Sequence, residues 1–135
     1  MSDTPAIPMP EITDVNRPFW DGCREGELRL QRCDGCGLYR FPDAPVCPRC
    51  LSRAFSWQAV SGRGTVWSWI RMHQNYLPAF ADQLPYVVLF VDLEEGPRLI
   101  SGFVGDPDEL AIDLPVQAVF ETVGERVIPK FRAVG

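Results

Sequence analysis

Four cysteines fall into two pairs of identical spacing, Cys33-Asp34-Gly35-Cys36 and Cys47-Pro48-Arg49-Cys50, with ten residues between the pairs. A Cys-x-x-Cys turn presents two sulfurs to one point, and two such turns build the tetrahedral four-sulfur site that holds zinc. Gly35 and Gly37 suit the sharp backbone of the first turn, and Pro48 stiffens the second. With every ligand a protein sulfur, no coordination position is left open. The spacing therefore predicts a structural Zn2+ on Cys33, Cys36, Cys47 and Cys50. Iron is chemically possible on the same donors and would make the chain an electron carrier. Four thiolates and one Zn2+ add a charge of about -2. Arg29, Arg32, Arg40, Arg49 and Arg53 flank the cluster and read as its solvated surface.

Other chemistry is sparse. Cys23 is the fifth cysteine and falls one helical turn beyond Phe19, where it reads as a small packed hydrophobe. His73 is the single histidine, and nothing in the sequence places it beside Cys23 as a base. No Gly-x-Ser-x-Gly, Gly-x-Gly-x-x-Gly or Walker-type loop occurs. The pattern argues for a module that is not itself a catalyst.

The elements that must position these residues follow from composition. A chain of 135 residues suits one domain, or a domain with a small appendage. A hydrophobic share of 46% excludes a disordered chain, and 11 glycines with 13 prolines favour turns and short strands over long helices. The odd count of 5 cysteines argues against a disulfide framework. The net charge of -5 makes nucleic acid a disfavoured partner. No targeting segment is legible. The longest apolar run, Tyr86 to Val91, is too short to span a bilayer, so a reduced cytoplasm is the expected setting.

Three pieces are expected: an arm and helix over 1–28, a metal-bearing segment over 29–54 and a strand-rich unit over 55–135. Asn16 can cap the helix, Pro18 sits in its first turn and Gly26 ends it, with Phe19, Trp20 and Cys23 on one side. Five strands are predicted: Thr65–Met72, Tyr86–Asp92, Arg98–Val104, Val116–Thr122 and Arg126–Arg132. Asp106 can cap one helical turn between the third and fourth. Pro129 assigns the last strand to an edge or a bulge. This arrangement fits an OB-type barrel, and a small sandwich satisfies the same count. Trp67 and Trp69 are expected to share a face of the first of these strands, with Arg71 beyond them. The long connection from His73 to Pro85 contains Tyr76 and Phe80. These aromatics either cap the barrel or line a binding surface.

Several stretches together resemble a known family. They are Phe19-Trp20-Asp21-Gly22, Gly26 to Cys33, Phe41-Pro42, Cys47-Pro48-Arg49-Cys50, Gly62-Arg63-Gly64-Thr65-Val66, Pro85-Tyr86-Val87-Val88 and Pro129-Lys130-Phe131-Arg132. In this order they resemble the zinc-ribbon OB-fold accessory proteins of thiolase-like enzymes. The family's Gly-Met-Pro-like turn is replaced by Ile112-Asp113-Leu114-Pro115, where Asp113 can make the turn. The resemblance implies a mainly β fold: an N-terminal helix, a rubredoxin-like zinc ribbon and a C-terminal five-stranded OB-fold barrel. It also implies a hetero-oligomer with a thiolase, a thiolase-like aldolase or acyltransferase, or a hydratase. In such an assembly acyl-CoA lies at the shared interface and the catalytic residues belong to the partner. Trp67, Trp69, Arg71, His73, Tyr76 and Phe80 are the residues expected on the acyl-CoA or partner surface. Two other readings stand beside it: a nucleic-acid-binding ribbon and barrel, and a rubredoxin-like electron carrier. Against the first, Met72 onward carries 4 basic and 10 acidic residues.

Overall fold

The computed structural model describes residues 11–41, 44–73, 86–124 and 126–134. The helix α1 spans Arg17–Arg24, with Pro18 in its first turn and Gly26 just beyond its end at φ +80°. Asn16 precedes it with helical backbone angles, so its side chain turns away from the helix. It accepts from the Thr13 amide at 2.7 Å and donates to the Glu11 carbonyl at 3.0 Å. The expected side-chain cap is therefore replaced by a lock on the preceding turn. Phe19 and Cys23 are buried on one side of α1, with Trp20 packed beside them.

Two antiparallel sheets follow. The first has the order β2-β1-β3, from β1 (Leu28–Cys33), β2 (Tyr39–Arg40) and β3 (Phe55–Val60). Phe55 to Val60 pairs along all of β1, so the chain re-enters this sheet after the cysteine segment before continuing into the barrel. The second has the order β6-β5-β4-β7-β8. Its strands are β4 (Arg63–Met72), β5 (Tyr86–Leu93), β6 (Arg98–Ser101), β7 (Pro115–Val123) and β8 (Arg126–Ala133). These are the five strands read from the sequence, with one change of form. β6 ends at Ser101 because Gly102 to Val104 transfers its pairing from β5 to β8. The Phe131 amide donates to the Gly102 carbonyl at 3.0 Å, and the Val104 amide donates to Phe131 at 2.8 Å. A parallel bridge of Phe103 to Phe131 completes this seam and curls the sheet into an OB-like barrel. Pro129 sits on β8, at the end of the strand order. Asp106 caps a 3-10 turn over Pro107–Glu109 by accepting from the Asp108 amide.

One core serves both sheets. Phe19 and Cys23 of α1 and Leu28 and Leu30 of β1 join Val66, Leu89, Val91, Leu99, Val116 and Phe131 of the barrel. Burying such side chains contributes about 1.5–3 kcal/mol each. Gly64 is the tightest point of the barrel. A Cβ built there would lie 2.5 Å from the Asp92 carbonyl oxygen and 2.7 Å from Val91. The Gly64→Ala variant is expected to lose roughly 3 kcal/mol or more, because the obstruction is neighbouring backbone that cannot rotate aside. Thermal melting checks this, and an unchanged midpoint contradicts it.

Trp67 and Trp69 do not share a face. A β-bulge interrupts β4 between Val66 and Ser68, so Val66 opposes Val91 while Ser68 opposes Phe90. The extra residue is Trp67, which is turned outward. Trp69, opposite Leu89, packs on the core. The bulge is held from the other side. Val66 donates to Leu114 at 3.0 Å and accepts from the Asp113 amide at 2.8 Å, with Asp113 at φ +65° making the turn.

Candidate metal centre and flanking cleft

The two knuckles are built alike. In the first, the Gly37 amide donates to the Cys33 carbonyl and the Cys33 amide donates to Leu38. In the second, Leu51 donates to Cys47 and Cys47 donates to Ser52, each of these four bonds at 2.9 Å. Each pair thus closes with a residue in the left-handed region, Gly37 at φ +78° and Leu51 at φ +65°. A non-glycine residue there costs about 1–2 kcal/mol, so the second knuckle carries backbone strain that the first avoids.

The four sulfurs lie within 4.8 Å of one another, with Cys33 to Cys50 at 3.5 Å and Cys36 to Cys47 at 3.6 Å. A tetrahedron with Zn–S near ~2.3 Å has edges of about 3.8 Å, so the donor set fits the ion. The electrostatics agree. Cys33, Cys36 and Cys47 are all shifted toward the thiolate, chiefly by the backbone amides of Cys36, Leu38 and Cys50 respectively. Cys50 goes the other way, up to about 11. The Ser52 amide favours its thiolate, but the crowding sulfurs of Cys33 and Cys36 outweigh it. A fourth like charge at such distances is unfavourable, and a divalent cation is what neutralises it. Among the described residues this is the one group of three or more cysteine, histidine or acidic side chains placed to hold a metal ion.

The flanking arginines divide. Arg49 donates to the Cys36 carbonyl at 2.7 Å, and Arg32 reaches the Gly37 carbonyl at 3.3 Å while lying over the Tyr39 ring. Arg29 pairs instead with Glu25 and Glu27. Arg40, expected on the solvated surface, is buried. It donates to Gln31 at 2.7 Å and to the Ala44 carbonyl at 2.9 Å, and it stacks on Phe55. β2 pairs Arg40 directly with Gln31, which turns the guanidinium under the ribbon, where it ties down the chain after β2.

Cys23 has no catalytic setting. It is 1% exposed, and burial pushes its thiol from near 9 up to about 12 against an opposing effect of Arg29. Between those values the unfolded chain releases a proton that the folded chain keeps. Stability present below pH 9 is therefore lost as pH rises toward 12. Cys23→Val is expected to remove this part of the alkaline decline, measured as urea midpoints from pH 8 to 10.5. An identical decline in the variant contradicts it.

The remaining expected surface residues scatter. Trp67 is outward and Trp69 inward, Arg71 forms an exposed ion pair with Asp108 at 3.4 Å, and His73 is exposed just past β4. Tyr76 and Phe80 lie outside the described residues. Sequence reasoning missed a cleft of about 270 Å3 where α1 and Phe41 meet the barrel seam. Its walls are Phe19, Trp20 and Phe41 on one side and Ile100, Gly102, Pro129 and Lys130 on the other. A second hollow of about 140 Å3 continues past Trp20 and Phe41 to Asn16, Arg40 and Trp57. No local pattern marked it, because its walls come from stretches far apart in the chain.

Two family models match the chain: the rubredoxin-like zinc ribbon domain of ChsH2 over residues 20–56 and its C-terminal OB-fold domain over 57–121. The chain is 39% identical over 129 residues to a "Probable enoyl-CoA hydratase alpha subunit" of Thermomonospora curvata. The match covers 93% of this chain but 39% of that protein's length. The chain is 37% identical over 97 residues to a DUF35 domain-containing scaffold protein of Methanocaldococcus jannaschii, covering 70% of this chain and 67% of that one. Among solved structures, a chain of the Ltp2-ChsH2(DUF35) aldolase superposes with a TM-score of 0.83 at 35% identity. That superposition covers 93% of this chain and 98% of the other. With its closed four-cysteine zinc site and OB barrel, the chain belongs to the family of DUF35 domain-containing scaffold proteins.

Proposed function

We propose that this protein is a non-catalytic accessory subunit that binds a thiolase-like or hydratase enzyme and forms part of its acyl-CoA path. The observation that carries this reading is the apolar cleft between α1 and the barrel seam. It is walled by aromatic and aliphatic side chains, as suits an acyl or pantetheine segment, and has Lys130 at its margin. The similarity to chains of a hydratase and an aldolase supports the same reading. None of the five cysteines is free to act as a nucleophile, with four gathered in a closed metal site and Cys23 buried as a neutral thiol. Arg71 and His73, near the end of β4, are proposed to face the CoA phosphates. No helix among the described residues is long and apolar enough to cross a membrane.

Affinity purification from its native host, with partners identified by mass spectrometry, tests the assignment. A thiolase-like or hydratase subunit in defined stoichiometry is expected, together with lower activity when this chain is omitted. A partner fully active alone and never co-purifying refutes it. Arg71→Ala is expected to raise the KM for acyl-CoA in the complex, and an unchanged KM removes Arg71 from the path.

A further inference from the structure

Resting on the accessory-subunit reading above, we infer that the outer face of the β4–β5–β6 wing is the surface on which the catalytic subunit docks, with Trp67 as its anchor. The register fixes this face. Leu89 and Val91 of β5 point into the core, so Val88 and Phe90 point out. Ile70 lies opposite Val88, and Ile100 lies opposite Phe90 on β6. The outer face of an antiparallel sheet is ordinarily polar. Here Trp67 is 48%, Ile70 49% and Ile100 62% exposed, with Val88 and Phe90 half-buried between them.

The patch is preorganised. The bulge of β4 sets Trp67 onto this face, and its ring meets Phe90 edge-on at 6.0 Å. Arg98 lies 3.7 Å over the Trp67 ring and is itself gripped by Asp92 at 2.7 Å. A tryptophan already held in its rotamer loses little entropy on binding, and tryptophan and arginine dominate interface hot spots.

Charge and continuity select the occupant. Arg98 and Asp92 cancel each other, so the face presents no surplus positive charge for phosphates and matches an apolar, uncharged protein surface. A second copy is disfavoured, because each chain carries a net charge of -5. Ile100 also lines the cleft, so a subunit seated on the wing borders the proposed acyl-CoA path directly. That continuity is what a shared substrate path requires.

The test uses the purified pair and titration calorimetry. Trp67→Ala and Ile100→Lys are measured beside Gln58→Lys, which changes an exposed position of β3. All three are checked for zinc content and melting temperature. Trp67→Ala and Ile100→Lys are each expected to weaken association about thirtyfold or more, as for a hot-spot residue, while Gln58→Lys binds like the wild type. If the wild type binds and both wing variants bind equally well, this face is wrong while the accessory role stands. If the wild type forms no complex, both fall. A concentration-dependent dimer of this chain that Ile100→Lys abolishes assigns the face to a second copy and overturns the inference.

Discussion

Stripping the zinc is expected to unfold the whole chain rather than the ribbon alone. Cys33 and Cys47 are buried at the ends of short hydrogen-bonded turns, and the metal is what holds the two knuckles together. Structural zinc on such donors contributes on the order of 10–16 kcal/mol at neutral pH. That matches or exceeds the ~5–15 kcal/mol net stability of a whole domain. Propagation follows from the shared core. β1 ends in Cys33, while its Leu28 and Leu30 are packed with the barrel residues Val66, Leu89 and Phe131. Loss of the ribbon sheet therefore opens the base of the barrel and frees α1, which lies on β1 and β8. Incubation with a high-affinity chelator, or the Cys47→Ser substitution, is expected to abolish the cooperative melt followed by circular dichroism and tryptophan fluorescence. A metal-free chain that keeps the barrel's β spectrum and a sharp transition contradicts this coupling.

Local features of this protein were legible from the sequence, and long-range ones were not. The zinc ligands were readable because a knuckle is a four-residue device whose geometry is set within the turn, and Cys33, Cys36, Cys47 and Cys50 do converge. The barrel strands were readable for the same reason, since a short apolar run such as the one that opens Tyr86–Leu93, bounded by turn residues, is a local signal. Trp67 and Trp69 misled because period-two counting assumes an unbroken strand. The bulge that separates them is held by the Asp113 amide, which donates to Val66, and by the Leu114 carbonyl, which accepts from it, more than forty residues along the chain. Arg40 misled because burial of a guanidinium is decided by its partners, and Gln31 and Ala44 become partners only through strand pairing. The cleft was invisible for a further reason. Phe19, Phe41, Ile100 and Lys130 come from four separate stretches, which only the closure of the barrel brings together. The side chains that make the proposed docking wing were individually visible, but their common face depends on the register of β5 with both neighbours.

Phe131 is the largest of the fully buried side chains, and its truncation carries the largest effect expected from a single core substitution. Phe131 is fully buried, lies across from Ala118 on β7 and meets Phe103 through the seam. Phe131→Ala is expected to cost about 3–5 kcal/mol, since the lost transfer energy is compounded by a cavity that strands on both sides prevent from collapsing. For a chain of this size that lowers the melting midpoint by roughly 10–18 °C. The seam's hydrogen bonds to Gly102 and from Val104 involve only the Phe131 backbone. The barrel should therefore stay closed and the zinc should remain bound, so the urea midpoint falls while the slope of the transition is unchanged. Phe131→Leu refills most of the volume and should cost less than about 1.5 kcal/mol. A shallower slope or loss of zinc in Phe131→Ala would show instead that the side chain, rather than the backbone pairing, holds the seam. The cleft wall formed by Pro129 and Lys130 would then open with it, and the acyl-CoA KM of the complex would rise in step.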